Sequence, residues 1–253
     1  MTKPLLLLVA ALTAAAPAWG EKHVQSTFDS RLALAFKANP AEVQRWLPAP
    51  WQIAPVASGA SKDANLTLTF VDRLLDQDAE GKPMPIASYR VIALGIPARN
   101  PQTGESGPVL VRLYNTNPDA VPGFYKTAVR ASVERETASS AANNDSGTAS
   151  ERWEVRVGKS ATLLLQVRYE RSPPVPVKTE ARPRSGADPA LWRIYRIEQS
   201  VDVVKSVPEG IDRLRNYRFR NNLAELDKLF DGREQLISVT SIPWYARQTF
   251  LPD

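Results

Sequence analysis

The sequence predicts a mainly β (α+β) chain, with antiparallel sheets closing on one core and a few short helices. Three observations carry this. Several runs alternate apolar and polar residues, Asn65 to Val71 most clearly. Twenty-one prolines cut the chain into short pieces. No strand–helix–strand alternation and no internal repeat interrupts the pattern.

Taken in order, Arg31 to Lys37 reads as a first strand. Asn39-Pro40 then opens a short helix, with Asn39 as N-cap and Val43, Trp46 and Leu47 on one face, and Pro48-Ala49-Pro50 stops it. Strands follow over Asn65 to Val71, Ile86 to Ile96 (closed by Pro97) and Val109 to Tyr114. Gly123 to Glu134 reads as a strand, with or without a helical start. Thr137 to Ser150 is built from small polar residues and reads as a surface loop. Trp153 to Val157 and Ala161 to Tyr169 form a hairpin across Gly158-Lys159. Ser172 to Pro189 is proline-rich and reads as irregular. Leu191 to Val204 suggests a strand, Asn222 to Phe230 a short helix, and Leu236 to Phe250 a closing strand broken at Pro243.

The chain has 253 residues, 43% hydrophobic and 23% charged, with a formal charge of +5. That is enough chain for one sizeable core. Residues 1–20 read as a cleavable signal peptide: Lys3, an apolar run from Leu5 to Ala16, and Ala18-Trp19-Gly20 before Glu21. The expectation is export to a periplasm or the exterior, with residues 21–253 as one β-rich domain and no membrane span after signal removal. Arg213, Arg215, Arg218 and Arg220 are the densest basic cluster and read as a solvated edge; no nucleic-acid module is recognisable.

The absence of cysteine excludes thiolate catalysis, and a single histidine, His23, excludes paired-histidine zinc sites. So near the mature start, His23 is expected to be frayed. Asp76 to Gly81 has the first half of a calcium loop, but position 12 is Ala87, so a polar hairpin turn explains it better. No metal or cofactor is expected. Lysine chemistry remains: an amine whose pKa is lowered by burial or a nearby cation attacks a ketone and forms a Schiff base.

Phe124-Tyr125-Lys126, the unit of Leu32 to Phe36 with Pro40 to Leu47 and Pro48-Ala49-Pro50, the paired strands from Glu154 to Tyr169, and Leu236 to Phe250 with Ile242-Pro243 resemble the acetoacetate decarboxylase family. The resemblance implies antiparallel sheets forming a closed cone or barrel around a buried pocket, commonly in a homo-oligomer. It also implies Lys126 as an inward-facing Schiff-base nucleophile acting on a small keto acid. Thr127 stands where the family has a second lysine, and Val91 where it has a pocket glutamate. Arg31 lies near the family's early arginine. Arg90 and Arg112, each inside an apolar strand, point either into a pocket, where they would hold a substrate carboxylate, or to solvent. Tyr125 is a core aromatic or a substrate contact.

Two functions follow. One is a lysine-dependent lyase or decarboxylase. The other is a non-catalytic protein binding a small apolar or acidic molecule in the same pocket, which the absent lysine and glutamate favour. A structural envelope protein is a third. The direction of the Lys126 side chain separates the first two.

Overall fold

The structure is a computed structural model and describes residues 21–117, 125–142 and 146–252. Residues 1–20, expected to be a signal peptide, and Gly123-Phe124 lie outside the described residues.

Fifteen strands are described: β1 (Lys22–Lys37), β2 (Gln52–Ile53), β3 (Leu66–Asp78), β4 (Tyr89–Arg99), β5 (Ser106–Asn115), β6 (Ala128–Arg130), β7 (Ser132–Ala142), β8 (Ser146–Val157), β9 (Ala161–Glu170), β10 (Val175–Ala181), β11 (Arg184–Ser185), β12 (Ile194–Ser206), β13 (Ile211–Asp212), β14 (Leu214–Asn221) and β15 (Gln235–Leu251). One short helix, α1 (Pro40–Gln44), starts where Asn39 Oδ1 accepts from the Ala41 amide at 3.0 Å. Asn222 to Phe230 holds only a 3-10 turn at Ala224–Leu226, although Leu223, Leu226, Leu229 and Phe230 are all buried as an apolar face requires.

The larger sheet runs β10-β12-β15-β1-β3-β4-β5-β11, with short strands attached, and the smaller runs β14-β9-β8-β7. Pairing is antiparallel except β5 with β6 and with β11, which is parallel. The larger sheet is not a closed barrel: β10 and β11 end its path without pairing to each other, because β11 is two residues long and β10 is an exposed edge.

The period-two geometry of a strand explains how one sheet serves two interiors. Leu32, Leu34, Leu66, Leu68, Phe70, Ile92, Leu94, Ile96 and Val109 face the smaller sheet and pack with Trp153, Val155, Leu163 and Leu165. The alternate positions, Val71, Tyr89, Val91, Leu113, Tyr195, Ile197, Ile242 and Tyr245, form a second cluster on the other face. Sheets buried on both sides read as nearly continuous apolar runs, which Val91 to Ile96 shows. The phase of β15 changes between Ile242 and Tyr245, around Pro243, where its ladder with β1 shifts between Asp29 and Arg31. Proline has no N–H to give the ladder and is tolerated at such a bulge.

Four segments depart from the sequence reading. Residues 22–30 are paired to β15 rather than frayed, so His23 is anchored opposite Phe250. The expected loop at 137–150 is the outer part of the β7–β8 hairpin, in register from Thr137↔Glu151 to Ala142↔Ser146. Ser172 to Pro189 contains β10, which pairs with β12. The strand from Tyr89 runs through Pro97 to Arg99. Backbone ladders hold these segments where side-chain alternation is weak.

Candidate functional site

The second cluster does not fill its space. A cavity of about 210 Å³ opens on that face of the larger sheet, and its walls combine three arginines (Arg31, Arg73, Arg247), four tyrosines (Tyr89, Tyr125, Tyr195, Tyr245) and aliphatic residues including Val71, Val91, Leu110 and Ile197. Its size lies below the roughly 300–1,000 Å³ typical of drug-sized ligand sites, so it suits a small metabolite.

The arginines differ in how they are neutralised. Arg73 is buried; its Nε meets Asp29, and its Nη1 donates to Asp76 Oδ1 at 2.6 Å and to the Tyr89 hydroxyl at 3.1 Å. Tyr89 in turn donates to Asp76 Oδ2 at 2.8 Å, and the Thr27 hydroxyl donates to Asp76 Oδ1 at 2.7 Å. Arg31 donates from Nε to Asp29 Oδ2 at 2.9 Å and stacks on the Tyr245 ring, 3.3 Å from its centroid. Burial pushes the Asp29 carboxyl up, but Arg73, Arg31 and Arg247 together outweigh it and hold it below its ordinary value.

Arg247 is different. It is 6% exposed, lies over the Tyr195 ring at 4.0 Å and donates from Nη2 to Thr27 Oγ1 at 3.0 Å. Its Nε is buried with no hydrogen-bond partner, and no carboxylate among the described residues pairs with it. Beside it the Tyr125 and Tyr195 hydroxyls share a short hydrogen bond. Burial and then Tyr195 push the Tyr125 hydroxyl well up, so it stays protonated.

Of the residues singled out from sequence, the structure brings Arg31, Tyr125 and Val91 to the cavity. It does not bring Arg90, Arg112 or Lys126. Arg90 turns to the opposite face, donating to Asp72 Oδ1 at 3.1 Å and to the Val133 carbonyl at 3.3 Å. Arg112 meets Glu225 at 2.6 Å and lies over Trp46 at 5.5 Å. The expectation that Lys126 faces inward is corrected: its side chain is 62% exposed and its Nζ lies 3.8 Å from Asp188. The reason is local. Tyr125 and Thr127 are both buried, the Tyr125 carbonyl is clamped by the Ser185 hydroxyl, and Lys126 takes a φ of 54°, which leaves its side chain outside. Sequence reading missed Arg73, Tyr195, Tyr245 and Arg247. Phase would have found them: Arg73 shares the face of Thr69 and Val71, and Arg247 that of Tyr245 and Thr249.

A second cleft of about 290 Å³ lies between the β7–β8 hairpin and β15. Arg135 in its wall is already bonded to Asp72 and Glu151; Arg171 also lines it. The basic cluster at β14 divides: Arg213 pairs with Asp202 and Arg215 with Glu170, while Arg218 and Arg220 are exposed. Among the described residues no helix is long and apolar enough to cross a membrane.

Three solved structures share this architecture. An acetoacetate decarboxylase-like enzyme from Sphingomonas wittichii RW1 superposes with a TM-score of 0.55 at 10% identity, covering 96% of this chain and 100% of its own. The chain has the acetoacetate decarboxylase-like fold. The acetoacetate decarboxylase of Legionella pneumophila matches at a TM-score of 0.52 and 11% identity over 96% of this chain and 94% of its own. The enduracididine biosynthesis enzyme MppR, in a complex with pyruvate, matches at 0.54 and 8% identity over 92% and 90%. No protein-family model and no curated protein matches the sequence. Within this fold, the cavity on the second face of the larger sheet is the candidate site.

Proposed function

We propose that this protein binds a small molecule reversibly in the inner cavity, without a covalent bond to the chain. The observation that carries this reading is the composition of the wall: arginine, tyrosine and aliphatic side chains, with no lysine among them. An imine-forming amine must be unprotonated at working pH, which requires burial or an adjacent cation. Among the described residues, Lys126 is exposed and lies beside the carboxylate of Asp188. The likeness in fold to MppR, solved in a complex with pyruvate, supports a small-molecule ligand. Residues 1–20 support export of the protein, so that the ligand would be met outside the cytoplasm.

A second reading keeps Lys126 as a Schiff-base nucleophile in a lyase. It is favoured by the immediate neighbour of Lys126, Tyr125, which does line the cavity. Borohydride reduction in the presence of pyruvate and a panel of small keto acids separates the two. The expected result is no mass adduct on Lys126 and unchanged ligand affinity in Lys126→Ala. A reduced adduct on Lys126, lost in Lys126→Ala, would overturn reversible binding in favour of the lyase.

A further inference from the structure

Resting on the reversible-binding reading, we infer that the cavity selects small aliphatic monocarboxylates, with Arg247 as the anion anchor and no requirement for a ketone. Three guanidinium groups reach the cavity, and two buried carboxylates, Asp29 and Asp76, stand behind them. Asp29 is shared by Arg31 and Arg73, and Asp76 is held by Arg73. One positive charge is left over, and it sits on Arg247, whose Nη2 donates to the neutral Thr27 hydroxyl. A buried, hydrogen-bond-capable N–H with no partner is costly, and a guanidinium meets a carboxylate with two parallel hydrogen bonds. Arg247 therefore brings to the cavity wall a buried guanidinium whose charge no carboxylate among the described residues pairs.

The rest of the wall decides the remainder of the ligand. The Tyr125–Tyr195 hydroxyl pair makes the Arg247 end of the cavity polar, while Val71, Val91, Leu110 and Ile197 offer only apolar contact. A second carboxylate on the ligand would meet these aliphatic groups, or would have to compete with Asp29 for Arg31 and Arg73. Burying an unpaired carboxylate there is strongly unfavourable. The site thus excludes dicarboxylates by the same ion pairs that hold its floor together.

Calorimetric titration with n-butyrate, succinate and butyramide tests this on the intact protein. Butyrate should bind, succinate at least tenfold more weakly, and the neutral butyramide at least tenfold more weakly. Lengthening acetate to propionate to butyrate should tighten binding by about fourfold per methylene until the cavity is full. Arg247→Gln should lose at least tenfold in butyrate affinity. Asp29→Asn, which frees a guanidinium, should narrow the butyrate-to-succinate ratio. Should either variant fail to show a cooperative melting transition, the wild-type series decides alone. Equal binding of butyramide and butyrate, tighter binding of succinate, or unchanged affinity in a folded Arg247→Gln would overturn the monocarboxylate assignment while leaving reversible binding standing. Absence of binding by all three probes would overturn the assignment too. A borohydride-trapped adduct is a different failure, that of the underlying reading.

Discussion

Replacing Arg73 with leucine is expected to lower the unfolding free energy by about 3–5 kcal/mol, the cost of breaking a buried ion pair by removing one partner. For a chain of this length that is a fall of roughly 6–20 °C in Tm. Arg73 is buried, and so are both of its carboxylates. Without it Asp29 keeps Arg31, but Asp76 is left with only the hydroxyls of Thr27 and Tyr89. Urea unfolding of wild type and variant measures the difference. Its pH dependence identifies the cause. The folded-state pKa of Asp29 is depressed below its ordinary 3.8. The stabilisation linked to it is therefore fully present above that value and is lost as pH falls through the lower folded-state value. Wild-type stability should decline in acid below about pH 4, and Arg73→Leu should show a shallower decline because less depression remains. A loss below about 1 kcal/mol, within the range of exposed pairs, would mean that the network is not sealed from water.

Trp153→Ala should cost a similar amount, about 3–5 kcal/mol, for a different reason. Trp153 is fully buried between the two sheets, its ring 5.5 Å from that of Phe70, and its Nε1 donates to Glu151 Oε2 at 2.9 Å. Truncation empties the centre of the larger core and removes one donor from a buried carboxylate. Trp153→Phe restores most of the volume but not the donor, so it should cost less than the alanine variant. Equal losses in the two would show that the hydrogen bond to Glu151, rather than packing, dominates. Both are read from urea midpoints at constant m-value.

The strands were legible where the buried face is apolar, because apolar burial imposes the alternation that sequence reading detects. Leu66 to Val71 and Ala161 to Tyr169 are of that kind. At residues 22–30 the buried face is polar (Gln25, Thr27, Asp29) and gave no such signal. The outer β7–β8 hairpin was not legible. From Thr137 to Ser140 its residues are exposed, so nothing forces a hydrophobic phase, and small polar residues are held by the backbone ladder alone. β10 was hidden in the same way, as an edge strand whose Pro176 reads as a breaker but is tolerated at an edge.

The candidate site was half legible. Resemblance led to Tyr125, Arg31 and Val91, all of which reach the cavity. It also led to Lys126, which misses the cavity by one residue because the turn buries Tyr125 and Thr127 instead. Arg247 and Arg73 depend on pairings between distant strands, Thr27 with Arg247 and Asp29 with Arg73, which no local pattern encodes. What local pattern does encode is their phase, and a charged residue in phase with buried apolar neighbours is the signal to search for in related chains.

The most direct test of reversible binding is a crystal structure of the protein grown with saturating pyruvate. The expected result is ligand density inside the cavity, its carboxylate against Arg247 and Tyr195, and separate from an outward-facing Lys126. Density continuous with Lys126 Nζ, with that side chain turned into the cavity, would contradict it.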